Sequence, residues 1–246
     1  MIIDIFIRTY SKDFDILNVC LYSIKKYLTG FRNIIICVRE KEYNLLTKVV
    51  NLQGCKVIKT FNYDDSIDYL GQQISKLHAH TYTDAEYIYF IDSDCILYDY
   101  MNIENVYFDK ENKLIILKDY WKNVGDANCW QPCLQYLGLL TEYEFMRRLP
   151  QLYPSNIFTP IKMLIQNKTG CKWHEGCHKI YSNAKFSEFN IMGSYIYLYA
   201  NQNINFKFSS EETILPFKQH WSLDYHTSRI GISNKLTKIN ELKNSI

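Results

Sequence analysis

Short unbroken apolar runs near the start of the chain alternate with segments in which apolar side chains recur at helical spacing. The runs predict buried strands at 2–9, 33–38 and 56–58. Helices are predicted between them, from Phe14 to Leu28 with Gly30 as the stop, and from Glu40 to Leu52. This order of strands and helices is typical of a doubly wound, mostly parallel α/β sheet, whose crossovers we expect to be right-handed.

Two carboxylates follow the longest of these apolar runs. A third helix is predicted around 70–77, and Tyr87–Ile91 then has the composition of a strand buried on both faces. Asp92 and Asp94 come next, with Ser93 between them. In open α/β sheets, ligands bind outside the carboxyl ends of the strands, and hard oxygen ligands suit Mg²⁺ or Mn²⁺. The alternative is that Asp-Ser-Asp is only a polar turn.

The second half of the chain has a less regular pattern. We expect a strand at 114–117, an irregular aromatic region at 119–132, a short helix opened by a capping box at 141–144, a helix from Thr159-Pro160 to Gly170, and an apolar helix opened by the polar turn at 186–190. Loops carried by a rigid sheet are where substrates are commonly met, so Trp130 and Gln131 become candidates for ligand contact.

Length and charge narrow the class of protein. A chain of 246 residues fits one large α/β domain, and a net charge of +2 without a basic block does not favour nucleic acid. The segment Lys235–Lys243 reads as a solvated end. We expect no signal peptide and no transmembrane segment, because Asp4 interrupts the first apolar residues and no apolar run approaches the length of a span. A cytoplasmic protein is therefore expected.

The cysteines raise the question of a zinc site. Eight cysteines are scattered along the chain, and we expect them to be reduced. Cys171, His174, Cys177 and His178 could together supply four ligands, but structural zinc sites usually combine two distant pairs rather than one short segment. We therefore expect no zinc here, and expect Trp173 and His174 to face an acceptor pocket or to pack.

Neither a Gly-x-Gly-x-x-Gly nor a Walker-type phosphate loop follows the first strand. Four segments instead resemble the GT-A glycosyltransferases, and they occur in the order expected for that family. Asp92-Ser93-Asp94 resembles the family's Asp-x-Asp, and the helix with Gln72 and Lys76 resembles the one that approaches the nucleotide or the diphosphate. Ser187-Glu188-Phe189 resembles the segment with an acidic residue at the acceptor site, and His220 matches a C-terminal histidine that binds the metal.

The resemblance implies one GT-A, Rossmann-like domain over 1–246, with a central, mostly parallel twisted sheet flanked by helices. Residues 1–98 would form the half that binds the nucleotide sugar. Residues 99–230 would form the acceptor-binding half, and 231–246 a C-terminal tail. The family's compact, anchor-free members from large DNA viruses and bacteria are the nearest in kind, and for a viral protein the location would be the host cytoplasm.

The implied activity is metal-dependent transfer of a sugar from a nucleotide diphosphate, expected to be UDP, to a hydroxyl of a glycan or glycoprotein, with inversion. Mn²⁺ or Mg²⁺ would be bound by Asp94 and His220, with Asp92 reaching the metal through water or contacting the ribose. Glu188 would be the base that takes the proton of the acceptor hydroxyl. The remaining assignments are Thr9, Tyr10, Asp64 and Asp65 for the base and ribose, Lys76 and Lys218 for the diphosphate, and Trp130, Gln131 and Asn190 for the acceptor.

Three alternatives stay open. Glu188 could only cap its helix, together with Ser187 or Asn190. The protein could be a GT-A-like chain that binds glycan or nucleotide without turnover. It could also be an Asp-x-Asp phosphatase, although those enzymes carry the two aspartates after their first strand and have Thr or Val where Ile96 stands here.

Overall fold

The computed structural model describes residues 1–60, 68–146, 150–211, 215–220, 239–244 and 246. The strands in these ranges are β1 (Ile3–Arg8), β2 (Leu28–Thr29), β3 (Asn33–Arg39), β4 (Cys55–Thr60), β5 (Tyr87–Phe90), β6 (Cys95–Leu97), β7 (Met101–Asn102), β8 (Leu114–Tyr120), β9 (Tyr143–Glu144), β10 (Gln151–Pro154), β11 (Ile204–Phe208) and β12 (Phe217–Gln219). The longer helices are α1 (Phe14–Tyr27), α2 (Tyr43–Val49), α3 (Asp68–Leu77), α4 (Ile103–Tyr107), α5 (Gln131–Leu137), α6 (Phe158–Thr169), α7 (Trp173–Tyr181) and α8 (Glu188–Tyr199).

A five-stranded sheet in the order β10-β5-β1-β3-β4 forms the centre of the molecule. Its pairs β5-β1, β1-β3 and β3-β4 are parallel, and β10 runs antiparallel to β5. Every residue of β1 is buried, as expected for a strand covered on both faces. The α/β prediction and the strands predicted from the apolar runs are therefore confirmed.

Helices flank this sheet because each has an apolar stripe to bury. Helix α1 buries Leu17, Leu21 and Ile24 at the spacing read from the sequence, and α3 buries Leu70 and Ile74 in the same core. Helix α6 ends at Gly170, which has a left-handed φ of 71° as predicted for a helix stop. None of the helices in the described ranges has the length and apolarity needed to cross a membrane.

Smaller sheets build the second half. Strands β11, β8 and β9 form one sheet, and β12 pairs antiparallel with β6, which directly follows the two aspartates. Helix α8 packs on the central sheet through Phe189, whose ring lies 5.9 Å from that of Phe90 and 6.0 Å from that of Tyr153. These contacts bring the start of α8 and the end of the chain towards the carboxyl end of β5.

Two local predictions in this half are wrong. Tyr143 and Glu144 form β9 and pair with β8, so the proposed capping box does not open a helix. Thr141 accepts a hydrogen bond from the Tyr143 amide at 3.1 Å, which makes a side-chain turn in place of a cap. The region 119–132 is also more regular than expected, because β8 continues to Tyr120 and short 3-10 turns then lead into α5.

The C-terminal end is docked rather than solvated. Residues 239–244 are helical, and Ile239 is buried against Ile16, Val19 and Ile96. The carbonyl of Ile246 accepts a hydrogen bond from the Tyr27 hydroxyl at 2.8 Å. The expectation of a solvated end is thus wrong for this part of Lys235–Lys243, while 235–238 lie outside the described residues.

Close packing at Gly193 gives a first test of the fold. A Cβ at this position of α8 would stand 2.3 Å from the Phe145 Cβ and 2.4 Å from its Cγ. Gly193→Ala is expected to lower the free energy of unfolding by about 1–3 kcal/mol through overpacking, despite the gain of about 1 kcal/mol in helix propensity. Urea denaturation measures this change. The matched control Tyr199→Ala, at an exposed position of the same helix, should stay within about 0.5 kcal/mol of the parent.

Candidate active site

Three carboxylates gather where β5 ends. Asp92, Ser93 and Asp94 turn the chain from β5 into β6, and the Cys95 amide donates to the Asp92 carbonyl at 3.0 Å. Ser93 is buried and its hydroxyl donates to Asp13 Oδ2 at 2.7 Å, which fixes a third carboxylate from the β1–α1 connection nearby. Burial, together with the charges of Asp92 and Asp13, raises the pKa of Asp94 to about 7. The turn therefore holds more negative charge than its surroundings offset.

Strand β12 brings residues 217–220 next to these aspartates. The Gln219 Nε2 lies 3.4 Å from Asp92 Oδ2 and 3.3 Å from Asp94 Oδ1, so one amide group bridges both carboxylates. The His220 amide donates to the Asp94 carbonyl at 2.9 Å, while its ring Nε2 lies 2.8 Å from the Tyr98 hydroxyl. Burial and the neighbouring charge of Lys218 lower the pKa of His220, so the imidazole is neutral at neutral pH.

Lys76 joins the aspartate turn to helix α8. Its Nζ lies 2.9 Å from Asp92 Oδ1 and 3.1 Å from Glu188 Oε1, and it stands 4.6 Å from the centre of the Phe189 ring. Lys76 is 6% exposed and Glu188 is 2% exposed. Although burial alone would lower the pKa of Lys76, the two carboxylates raise it above its ordinary value, and the ammonium stays charged.

The contacts at the start of α8 distinguish between the two roles considered for Glu188, helix cap and base. Ser187 is the N-cap, since its Oγ accepts from the Asn190 amide at 3.4 Å. Glu188 occupies the next position and turns its carboxylate to Lys76, and its Oε2 has no hydrogen-bond partner in the part of the chain that the structure describes. Burial raises the pKa of Glu188, while Lys76 acts in the opposite direction. The capping role considered for Glu188 therefore belongs to Ser187.

The residues predicted to bind the base and ribose follow β1 or precede α3 in the sequence. Thr9 is fully buried and its Oγ1 has no hydrogen-bond partner within the described ranges, while Tyr10 is half-buried at the following turn. Asp64 and Asp65 lie outside the described residues. Tyr69, one turn before Gln73, is half exposed, yet burial and the Glu188 charge raise its pKa to about 12.

The predicted acceptor residues fall into two groups. Trp130 and Gln131 are half-buried at the start of α5, and the Cys133 thiol of that helix faces the Ser187 amide, next to Glu188. Asn190 is fully buried. Its amide donates to Ser187 Oγ at 3.0 Å and to Glu144 Oε1 at 3.2 Å, and it accepts from the Phe145 amide at 2.7 Å. These contacts give Asn190 a packing role in the structure.

The short segment Cys171–His178 is mainly helical, and helix α7 carries His174, Cys177 and His178, three of the four side chains considered as zinc ligands. Cys177 is buried, and the Cys171 Sγ lies 3.3 Å from Thr169 Oγ1. Trp173 packs against His78, with ring centres 5.5 Å apart, as one of the two outcomes expected for it. All eight cysteine thiols are free.

Sequence reasoning missed Asp13, Tyr69 and Gln219. Asp13 opens a helix after the first strand, and a carboxylate at the end of a strand adjacent to β5 is a signal that could have been used. Gln219 precedes the histidine that drew attention, but nothing in its immediate neighbours predicts that its amide reaches two aspartates. Among the described residues, no group of three or more His, Cys, Asp or Glu side chains is gathered closely enough to hold a metal ion.

A large cavity in the described structure lies elsewhere. It has a volume of about 960 Å³ and runs between α4, β8 and β11, with Asn105, Ile115 and Phe206 among its walls. None of the predicted site residues lines it. The chemistry of the aspartate turn is therefore separate from this cavity.

The Lys76 ammonium, which Asp92 and Glu188 share, gives a second test of the structure. Lys76→Met leaves Asp92 and the buried Glu188 without their cation and is expected to lower the free energy of unfolding by about 3 kcal/mol. Without Lys76 the pKa of Glu188 rises further. The native state then binds a proton that the unfolded state releases, so the variant loses stability as pH rises from about 5 to about 8.

Urea denaturation at the two pH values checks this expectation. Adding Glu188→Gln to Lys76→Met should recover part of the loss at the higher pH, and Lys48→Met, at an exposed position of α2, is the control. Equal losses for the Lys76 and Lys48 variants would contradict the importance of the ion pair.

Comparison with known proteins gives structural likenesses. No protein-family model and no curated protein matches this chain. Among solved structures, the chain is similar to the galactosyltransferase LgtC in complex with donor and acceptor sugar analogues. The two are 12% identical with a TM-score of 0.46, over 78% of this chain and 69% of that chain. A likeness at this level carries no information on chemistry, which has to come from the contacts of the site itself.

Proposed function

We propose that this protein is a glycosyltransferase that moves a sugar from a nucleotide diphosphate, a UDP-sugar, to a hydroxyl of a glycan. The observation that supports this most is the Lys76 ammonium, held 2.9 Å from Asp92 and 3.1 Å from Glu188. The Lys76 ammonium thereby connects two groups. One is the pair Asp92 and Asp94, which suits the metal of a donor diphosphate, and the other is the Glu188 carboxylate, which suits a base. The three groups lie at the carboxyl end of β5, where ligands of α/β sheets bind.

Two carboxylates suit a divalent cation that takes its other ligands from water and a diphosphate, although no third His, Cys, Asp or Glu side chain joins them closely among the described residues. Asp92 and Asp94 offer these hard oxygens, and burial together with the charges of Asp92 and Asp13 raises the pKa of Asp94 to about 7. Mn²⁺ or Mg²⁺ would be held by Asp94, with Asp92 and His220 completing the protein's share. When bound, the cation would stabilise the negative charge that grows on the departing diphosphate.

The chain's own residues supply the remaining chemistry. Lys76 and Lys218 add positive charge next to the diphosphate, and Thr9, Tyr10, Asp64 and Asp65 hold the base and ribose. Burial raises the pKa of Glu188, and the Lys76 charge acts to lower it and so favours the ionised form. Its Oε2, which has no hydrogen-bond partner among the described residues, accepts the proton of the acceptor hydroxyl. As the acceptor oxygen bonds to the anomeric carbon, the bond to the diphosphate oxygen breaks and its electron pair leaves with the diphosphate, inverting the configuration.

The acceptor approaches from the start of α5. Trp130 offers an aromatic face and Gln131 an amide, and α5 lies beside the start of α8 through the Cys133 and Ser187 contact. Asn190 contributes by holding Ser187 and so fixing the position of Glu188.

A second candidate is a protein of the same kind that binds a nucleotide sugar without transferring it. Glu188 is only 2% exposed and ion-paired, and a base must be reached by the hydroxyl that it deprotonates. The two candidates differ in product formation with Mn²⁺, a UDP-sugar panel and either water or a glycan as acceptor.

The first functional prediction concerns the cation. UDP should bind in the presence of Mn²⁺ and much more weakly in excess chelator, because the diphosphate and the two aspartates repel each other without it. Asp94→Ala should weaken the Mn²⁺-dependent binding by about 10-fold or more, as expected for the loss of a metal ligand. Titration calorimetry measures both. Equal affinity for UDP with and without chelator would defeat the metal assignment.

The second functional prediction concerns Glu188. Glu188→Gln should retain UDP affinity while the transfer rate falls by about 10²-fold to 10⁴-fold, the usual contribution of a general base. Transfer rate and melting temperature are measured on the same preparation, with Ser187→Ala as the control. Loss of that cap should cost about 1 kcal/mol of stability and lower turnover per folded molecule far less than Glu188→Gln does. A product with retained anomeric configuration by NMR would contradict the role of Glu188.

A further inference from the structure

The side chain of Gln219 is held at the centre of the aspartate turn. Its backbone is fixed by strand pairing, in register with Cys95, the residue that follows Asp94. Its Nε2 lies at nearly equal distances from Asp92 Oδ2 and Asp94 Oδ1, 3.4 and 3.3 Å. A group placed evenly between two carboxylates occupies the position that a shared cation would favour.

Electrostatics determines which end of the amide faces the carboxylates. Two anions attract the NH₂ hydrogens and repel the carbonyl oxygen, so without a cation the nitrogen points inwards. Both hydrogen bonds are long for N–H to oxygen. A neutral amide cannot offset the charge of two carboxylates, and a divalent cation at this place would reverse the preference by attracting the oxygen.

We propose that Gln219 is a direct ligand of the divalent cation through its amide oxygen, and that it turns from donor to ligand when the cation binds. This inference rests on the metal site of the proposed function. A rotation about the terminal side-chain torsion exchanges Oε1 and Nε2, and that torsion is soft. The backbone of β12 need not move. An amide oxygen is also a hard ligand of the kind that Mg²⁺ and Mn²⁺ accept.

The contacts of the neighbouring residue support the same assignment. The ring of His220 is engaged at Nε2 by the Tyr98 hydroxyl, whereas its main chain lies against Asp94. Of the two side chains, that of Gln219 is the one in contact with both aspartate carboxylates. Strand β12 therefore contacts the two aspartate carboxylates through the side chain of Gln219. The Tyr98 hydroxyl holds the His220 ring at Nε2, which leaves His220 the smaller share in binding the cation.

Mn²⁺ binding to the full chain without nucleotide tests the proposal. Free Mn²⁺ is followed by electron paramagnetic resonance, and the melting temperature is recorded in Mn²⁺ and in chelator for the parent and for Gln219→Leu, Gln219→Glu, His220→Ala and Asp94→Ala. Gln219→Leu should weaken Mn²⁺ binding by about 10-fold, since it loses one ligand. His220→Ala should weaken it less than Gln219→Leu does.

Gln219→Glu keeps the test decisive if the leucine variant folds poorly. It adds a carboxylate oxygen, so Mn²⁺ should bind at least as tightly as to the parent. In chelator three close carboxylates repel, and the variant should melt lower than the parent and gain more from Mn²⁺. Unchanged or tighter Mn²⁺ binding by Gln219→Leu, or a loss of affinity in Gln219→Glu, would overturn the proposal.

Asp94→Ala separates failure of this inference from failure of the metal site itself. If the parent binds Mn²⁺ and Asp94→Ala does not, the site is real, and the Gln219 variants then decide its ligands. If the parent and Asp94→Ala bind Mn²⁺ equally, the metal site of the proposed function is wrong, and the role of Gln219 falls with it.

Discussion

A single buried ammonium couples the two halves of this protein. Lys76 belongs to α3 in the first half, Asp92 ends a strand of the central sheet, and Glu188 begins α8 in the second half. Two carboxylates this close would repel each other, and burial would drive the one on α8 to take up a proton. The cation opposes both effects, because it holds the start of α8 against the sheet and acts to lower the pKa that burial raises at Glu188.

In the proposed glycosyltransferase, this arrangement makes the two chemical tasks of the site interdependent. Any ligand that changes the charge around Asp92 changes how strongly Asp92 competes with Glu188 for Lys76. Positive charge bound at the aspartate turn would weaken the attraction of Asp92 for Lys76 and so strengthen the interaction of Lys76 with Glu188. Negative charge bound there, such as a diphosphate, would attract the Lys76 ammonium away from Glu188 and raise the basicity of Glu188. A base that becomes stronger when the donor is in place is useful to a transferase, because it limits activation of water beforehand.

The sequence predicts the central sheet well because strands buried on both faces leave apolar runs, unbroken in β3 from 34 to 38 and in β5, and interrupted in β1 by Asp4. The aspartate pair was found for the same reason, since it directly follows such a run. Local capping signals failed at Thr141, where pairing of β9 with β8 overrides the preference of a short segment. Gln219 could not be found because its role depends on a contact with Asp94 across 125 residues, and no local pattern encodes that pairing.

The strand order of the central sheet leaves β4 at one edge, where no other strand of the described residues pairs with its outer side. Lys56 and Lys59 are exposed on this strand, and the Lys56 Nζ bonds the Tyr82 carbonyl at 2.6 Å. A second copy adding a strand here would have to desolvate both ammonium groups. Lysines on an edge strand therefore protect the sheet against edge-to-edge association, and this protein can keep a short, highly apolar sheet without extending it into an aggregate.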